Sequence, residues 1–279
     1  RILLEANKLC LEIIYRNALD RELGRNLSQA DSLKLLMEKL YNEGSIGRKD
    51  CGEAALSATL ARSEYNRNRI ERDNLLSALA GMNGGETVQL TATEFAESEM
   101  LPADFGEWYS EAEDASPVLA YVAQQVNVSG QALKTGKIAN APKLTAGYMS
   151  ELVTGSEFRG LTLGVTIPLW SVKNNVRQAK ASYDASVKYQ EDAAARYYTA
   201  MLQAYSRAQG LLDVLTDLES SMAEAEMTLR AVEQRCALGE SPVMELLVER
   251  SLYTTLMKNT LEARLDYNLA LADLNAFKL

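Results

Sequence analysis

Two runs decide the fold class: Leu144-Thr145-Ala146-Gly147-Tyr148-Met149-Ser150-Glu151-Leu152 and Leu161-Thr162-Leu163-Gly164-Val165-Thr166-Ile167-Pro168-Leu169. Their period is two. Leu144, Ala146, Tyr148, Ser150 and Leu152 share one face of the first. Leu161, Leu163, Val165, Ile167 and Leu169 share one face of the second, with Thr162, Gly164 and Thr166 opposite. The alternation predicts strands at about 144–153 and 160–169, joined by a turn around Thr154-Gly155-Ser156, with Pro142 and Pro168 as strand–helix boundaries. Runs of about ten residues match a tilted membrane-barrel strand. A half-buried hairpin in water alternates in the same way, so periodicity alone leaves both open.

Outward from these strands the period becomes helical. Residues 171–235 hold no Pro and one Gly, Gly210. Unbroken, such a helix would run roughly 95–100 Å at ~1.5 Å per residue. Its second half carries Leu211, Leu215, Leu218, Met222, Ala225, Leu229, Val232 and Cys236 at alternating four- and three-residue steps, a coiled-coil seam. Gly239 and Pro242 end it. A last helix over about 243–278 bears Leu246, Tyr253, Leu256, Ala263, Tyr267, Ala270, Leu274 and Phe277 on one stripe. Upstream, Ser116 and Pro117 open a helix as N-cap and first residue, running to about Ile138. Residues 83–113 read as a connector with little regular structure. Residues 1–42 and 49–82 read as helices around Gly44 and Gly47, the second stopping at Gly81 and Gly84-Gly85.

The chain repeats itself at an offset of 195 residues, which lays Gly44 on Gly239, Glu71 on Asp266, Leu76 on Leu271 and Leu79 on Leu274. The predicted organisation is a helical hairpin of a first repeat at 1–82, a connector at 83–115, and a second repeat at 116–279 containing the strands. The fold class expected is mainly α: long antiparallel coiled-coil helical hairpins with one β-hairpin.

Composition narrows the function. Lys and Arg number 29 against 38 Asp and Glu, a net charge of −9, which argues against a nucleic-acid binder. His is absent from all 279 residues, which removes imidazole bases, triads and the commonest zinc ligand. Cys10, Cys51 and Cys236 form no CxxC pair. Ala80-Gly81-Met82-Asn83-Gly84-Gly85 has neither phosphate-loop nor dinucleotide spacing, and no metal motif is present. No enzyme, cofactor or metal site is expected. No run approaches the ~18–20 apolar residues of a spanning helix.

Ala141-Pro142-Lys143-Leu144, Val165-Thr166-Ile167-Pro168-Leu169-Trp170 and Arg177-Gln178-Ala179 resemble the outer membrane efflux proteins, the TolC-like channels. So do Cys236-Ala237-Leu238-Gly239-Glu240-Ser241 and Leu265-Asp266-Tyr267-Asn268-Leu269-Ala270-Leu271-Ala272-Asp273-Leu274. The resemblance covers nearly the whole chain. It departs at Lys173-Asn174-Asn175, where the family's strand-to-helix return is usually small or Gly-rich. The family's first helix and first strand pair have no counterpart, and Arg1-Ile2-Leu3-Leu4-Glu5 reads as a helix interior, so an N-terminally truncated fragment is expected.

The resemblance implies a passive homotrimeric duct, with strands in a shared outer-membrane barrel and helices in a periplasmic tunnel. An inner-membrane pump and a periplasmic adaptor would drive and dock it. It implies a lipid-facing Leu161, Leu163, Val165, Ile167 and Leu169, a lumen-facing Thr162 and Thr166, and Trp170 at an interface. Asp50 and Glu245, each six residues past its glycine, and Glu240 on the second turn become candidates for the pore constriction. Threefold symmetry would make each a ring of like charges that attracts cations. The same acids also suit a solvated helix start. Gly44 and Gly239 become adaptor-docking hairpin tips. A soluble coiled-coil scaffold without channel activity is the alternative; it explains the heptads but not the strand pair.

Overall fold

The computed structural model describes residues 2–96, 101–138, 141–167 and 172–278. Six helices and two strands follow in order: α1 Ile2–Asn42, α2 Arg48–Met82, α3 Phe105–Ala115, α4 Pro117–Ile138, β1 Lys143–Val153, β2 Ser156–Thr166, α5 Val172–Ala237 and α6 Val243–Asn275, with a short 3-10 turn at Ala276–Lys278. The chain forms two compact units. One holds the residues up to Phe105 and those from Leu202 onward; the other is Gly106–Met201.

The first unit contains two antiparallel helical hairpins, α1–α2 and the C-terminal part of α5 with α6. The heptad seam is real. Across 211–236 of α5, only its eight positions, Leu212 and Glu233 are not exposed. Leu215, Leu229 and Val232 are buried. Leu229, Val232 and Leu246 form one cluster, with Leu33, Cys236 and Tyr253 against it. The α1–α2 pair closes on small residues, Ala30, Ala58 and Ala61, beside Leu27. A third cluster, Leu19, Leu23 and Met257, gathers Tyr15, Tyr65, Met222, Tyr253 and Leu261 around it, so all four helices meet there. Burial pushes the Tyr15 and Tyr253 phenols above the usual range, so both stay neutral.

Helix α6 differs from its expected single stripe. Leu246, Ala263, Ala270 and Leu274 of that stripe are buried, but so are Met257, Thr260, Leu265, Asn268 and Leu271. It packs against more than one neighbour: Lys258 Nζ lies 3.0 Å from Glu64 Oε1 of α2, Lys8 of α1 pairs with Asp273, and Arg250 Nη2 lies 2.8 Å from Glu233 Oε1 of α5. Two polar anchors attach the connector. Asn17 Nδ2 donates to the carbonyls of Leu90 and Ala92 at 2.9 and 3.0 Å, and the Tyr205 hydroxyl donates to the Pro102 carbonyl at 2.7 Å.

In the second unit, the stretch expected to have little regular structure contains the 11-residue helix α3. Trp108 and Ala112, one turn apart, are its buried side chains. Around it, the Tyr109 ring meets that of Tyr198 edge-on at 4.9 Å, and Tyr197 donates to the Ala112 carbonyl at 3.4 Å. Ser116 caps α4 as expected, its Oγ accepting from the Leu119 amide at 3.3 Å. The α4–α5 contact is close: Ser129 and Ser186 hydroxyls lie 2.6 Å apart, and a Cβ on Gly130 would meet the Tyr183 ring at 3.4 Å.

β1 and β2 pair antiparallel, from Lys143 with Thr166 to Val153 with Ser156. The connection is two residues, Thr154 (φ 47°) and Gly155 (φ 86°). Two successive positive φ angles match the right-handed strand twist and permit pairing directly after the turn. β2 therefore begins at Ser156 and ends at Thr166, rather than spanning 160–169. Pro142 sits directly before the first paired residue, where its missing N–H breaks no ladder bond. Pro168, Leu169 and Trp170 lie outside the described residues.

Candidate functional site

The two helical hairpin tips are built alike. At the first, Gly44 has φ +75°; its amide donates to the Tyr41 carbonyl at 2.9 Å and the Ser45 amide to that of Leu40 at 2.9 Å. At the second, Gly239 has φ +76°; its amide donates to Cys236 at 3.1 Å and that of Glu240 to Arg235 at 2.9 Å. Both are Schellman caps, in which a left-handed residue satisfies the last helical carbonyls. Helix ends agree too: Asn42 and Ala237 close the outgoing helices, while Arg48 and Val243 open the returning ones, each pair at the same offset as the glycines. Nothing lies within 4 Å of a Cβ built on either glycine, so the requirement for glycine is backbone strain alone. Gly239→Val should lower the unfolding temperature of the intact protein by the equivalent of about 1–2 kcal/mol. Gly239→Asn should cost clearly less, because asparagine tolerates this region. Equal losses from both would assign the effect to something other than φ.

Asp50 and Glu245 occupy the same place, the third residue of a helix after the N-caps Gly47 and Pro242. A carboxylate there faces unpaired amides and the positive end of the macrodipole. Their surroundings differ. The Ser241 hydroxyl donates to Glu245, and Arg235 Nη1 donates to Glu245 Oε1 at 3.4 Å. Ser241 itself is buried. Asp50 makes no ion pair among the described residues; it lines a groove of about 910 Å³ with Met37, Leu40, Ile46, Gly239 and Val243. The groove lies between the tips, so the first-repeat acid faces the second-repeat turn. Glu240 is exposed on that turn. The sequence reading missed Ser241 and Arg235 as partners of Glu245. A serine four residues before a helix-start acid was the available signal.

The β-hairpin is the second candidate surface. Leu144 pairs with Val165, Ala146 with Leu163 and Tyr148 with Leu161, so the apolar faces of both strands coincide. That face is uncovered: Leu144 is 81% exposed, and Leu161 and Leu163 are 85% exposed. On the other face, Thr145 stands opposite Gly164, Gly147 opposite Thr162 and Met149 opposite Gly160. Thr145 Oγ1 donates to the Gly164 carbonyl at 3.3 Å, and a Cβ on Gly164 would lie 2.6 Å from that oxygen. The polar face is thus low in relief. No helix among the described residues is long and apolar enough to cross a membrane. Among them, no group of three or more Cys, Asp or Glu could hold a metal.

Residues 108–277 match the family described as outer membrane efflux protein. No curated protein matches the chain. Solved structures with the same fold include the Campylobacter jejuni CmeC outer membrane channel, at TM-score 0.76 and 13% identity, covering 99% of this chain and 62% of that one. The outer membrane protein VceC of Vibrio cholerae matches at 0.77 and 14% identity, over 100% of this chain and 70% of VceC. The open state of the Neisseria gonorrhoeae MtrE outer membrane channel matches at 0.72 and 20% identity, over 99% and 65%. The chain thus spans less than two thirds of the length of CmeC and of MtrE.

Proposed function

The chain belongs to the outer membrane efflux protein family, and we propose that it serves as part of a passive duct in a tripartite export system. The family is one of outer-membrane channels with a periplasmic helical tunnel, not of enzymes. In the proposed assembly three copies share one barrel, to which β1 and β2 contribute, while α1, α2, α5 and α6 contribute to the tunnel wall. An inner-membrane pump supplies the energy. A periplasmic adaptor engages the tips at Gly44 and Gly239, and Asp50, Glu240 and Glu245 lie towards the constriction.

The observation that carries this reading is the uncovered leucine face of the hairpin. In water, exposed rows of Leu, Val and Ile are a liability. In lipid they are the required surface, provided that every backbone group is paired. A two-stranded sheet leaves one edge of each strand open, so closure with strands from other segments or copies is needed. The one-sided burial of α5 supports a wall whose other side meets solvent or neighbours.

The intact protein in planar bilayers provides the test. A detergent-stable trimer that produces discrete conductance steps is expected. A water-soluble monomer that never alters bilayer conductance would return the molecule to the scaffold class.

A further inference from the structure

The leucine face of the β-hairpin ceases to be apolar before the hairpin ends. Beyond Tyr148 and Leu161, the next paired rows are Ser150 with Arg159 and Leu152 with Glu157. Arg159 and Glu157 are two residues apart on one strand, so they share the face with the leucines. They bind each other in a fork, Nε to Oε1 and Nη2 to Oε2 both at 2.8 Å, and the Ser150 hydroxyl donates to Glu157 Oε1 at 3.4 Å. The Arg159 side chain is still 63% exposed. The fork leaves Nη1 and further carboxylate lone pairs to be met from outside. Hydrocarbon cannot meet them, whereas water and phosphate can. Tyr148, 65% exposed in the last apolar row, is the amphipathic side chain favoured where hydrocarbon gives way to headgroups.

We infer that the outer boundary of the membrane hydrocarbon crosses the hairpin between the Tyr148–Leu161 row and the Ser150–Arg159 row. Arg159 then meets the phosphate-bearing headgroups of the outer leaflet, and Leu152 and the Thr154-Gly155 turn stand beyond the hydrocarbon. This rests on the barrel reading, in which the helical ends of the strands point to the periplasm and the turn outward. The apolar positions from Ile167, the residue just after β2, to Leu161 cover about 20 Å of extended chain at ~3.3 Å per residue. Tilted by about 40°, they rise roughly 15 Å, short of the ~25 Å band of an outer-membrane barrel. The Arg159–Glu157 fork sets the limit on the turn side, so the outer end of the hairpin projects.

Depth measurement on the intact channel tests the assignment. With Cys10, Cys51 and Cys236 replaced by Ser, single nitroxide labels are placed at 163, 161 and 152. The protein is reconstituted in vesicles of phosphatidylethanolamine and phosphatidylglycerol. Labels at 163 and 161 should collide mainly with oxygen, which concentrates in hydrocarbon, and the label at 152 mainly with a water-soluble nickel chelate. Adding Arg159→Gln should move the 152 label toward oxygen. A 152 label as oxygen-accessible as the 163 label, before that change, would overturn the boundary while leaving the barrel reading intact. Labels at 163 and 161 that meet only the nickel chelate would overturn the barrel reading itself. No response to Arg159→Gln would overturn the contact given to Arg159.

Discussion

Leu23→Ala is expected to lower the stability of the intact protein by about 2–5 kcal/mol, the range for deleting most of a buried leucine and leaving a cavity. Leu23 is 2% exposed in a cluster that brings all four long helices together. The cluster around it is large and varied: Met257 and Leu261 from α6, Met222 from α5, Tyr65 from α2. Helices are stiff, so four of them cannot all move inward to fill one missing isobutyl group, and the loss should fall in the upper part of the range. Leu56→Ala provides the contrast. Leu56 is 59% exposed on α2, and its truncation should change stability by no more than about 0.5 kcal/mol. Helical circular dichroism during thermal or denaturant unfolding measures both. Similar small shifts in the two variants would mean that the hairpins hold together elsewhere, for example through the alanine seam of Ala30, Ala58 and Ala61.

The contrast between Leu23 and Leu56 also marks the limit of what the sequence discloses. Where burial is one-sided and local, the pattern is legible: the α5 seam from Leu211 to Cys236 is a strict 4–3 series, and those are the positions the structure covers. Helix α6 was only half legible. Its second buried line runs through Thr260 and Asn268, which no hydrophobic stripe selects. That line exists because partners more than 200 residues earlier in the chain pack there, as Lys8 with Asp273 records. Helix α3 was hidden for another reason. Its apolar anchors, Trp108 and Ala112, amount to one i, i+4 step inside an acidic stretch, too short a signal to outweigh the charges around it. The true start of β2 was masked by Glu157 and Arg159, polar residues on an otherwise apolar face. At the tips the backbone was fully readable, since glycine position fixes a Schellman cap. The side-chain partners were not. Where the second tip has Arg235 and Ser241, the first has Leu40 and Ile46. The repeat is therefore one of backbone, and its acids sit in unlike electrostatic surroundings.

That asymmetry shapes the outcome expected when Asp50 and Glu245 are neutralised together as Asn and Gln in the proposed trimer. The preference for cations should fall by roughly tenfold, the ratio that ~1.4 kcal/mol of lost electrostatic stabilisation represents. In the proposed trimer, threefold symmetry would turn each carboxylate into a ring, and like charges converging on a narrow path attract counter-ions before any contact is made. The two single variants should differ. Asp50 has no ion pair among the described residues, so Asp50→Asn removes one negative charge and frees no paired cation. Glu245 is held by Ser241 and by Arg235. Glu245→Gln removes a negative charge and also leaves the Arg235 guanidinium without its carboxylate, turning a nearly neutral pair into a net positive one. It should therefore move the permeability ratio toward anions, with the freed Arg235 adding a cationic site that Asp50→Asn does not create. High salt should bring the two variants together, because exposed charges are screened within ~10 Å at 0.1 M. Reversal potentials across a potassium chloride gradient read both effects directly. A double variant with unchanged reversal potential and unchanged resting conductance would remove these acids from the pore and leave them as ordinary helix-start charges beside the macrodipole.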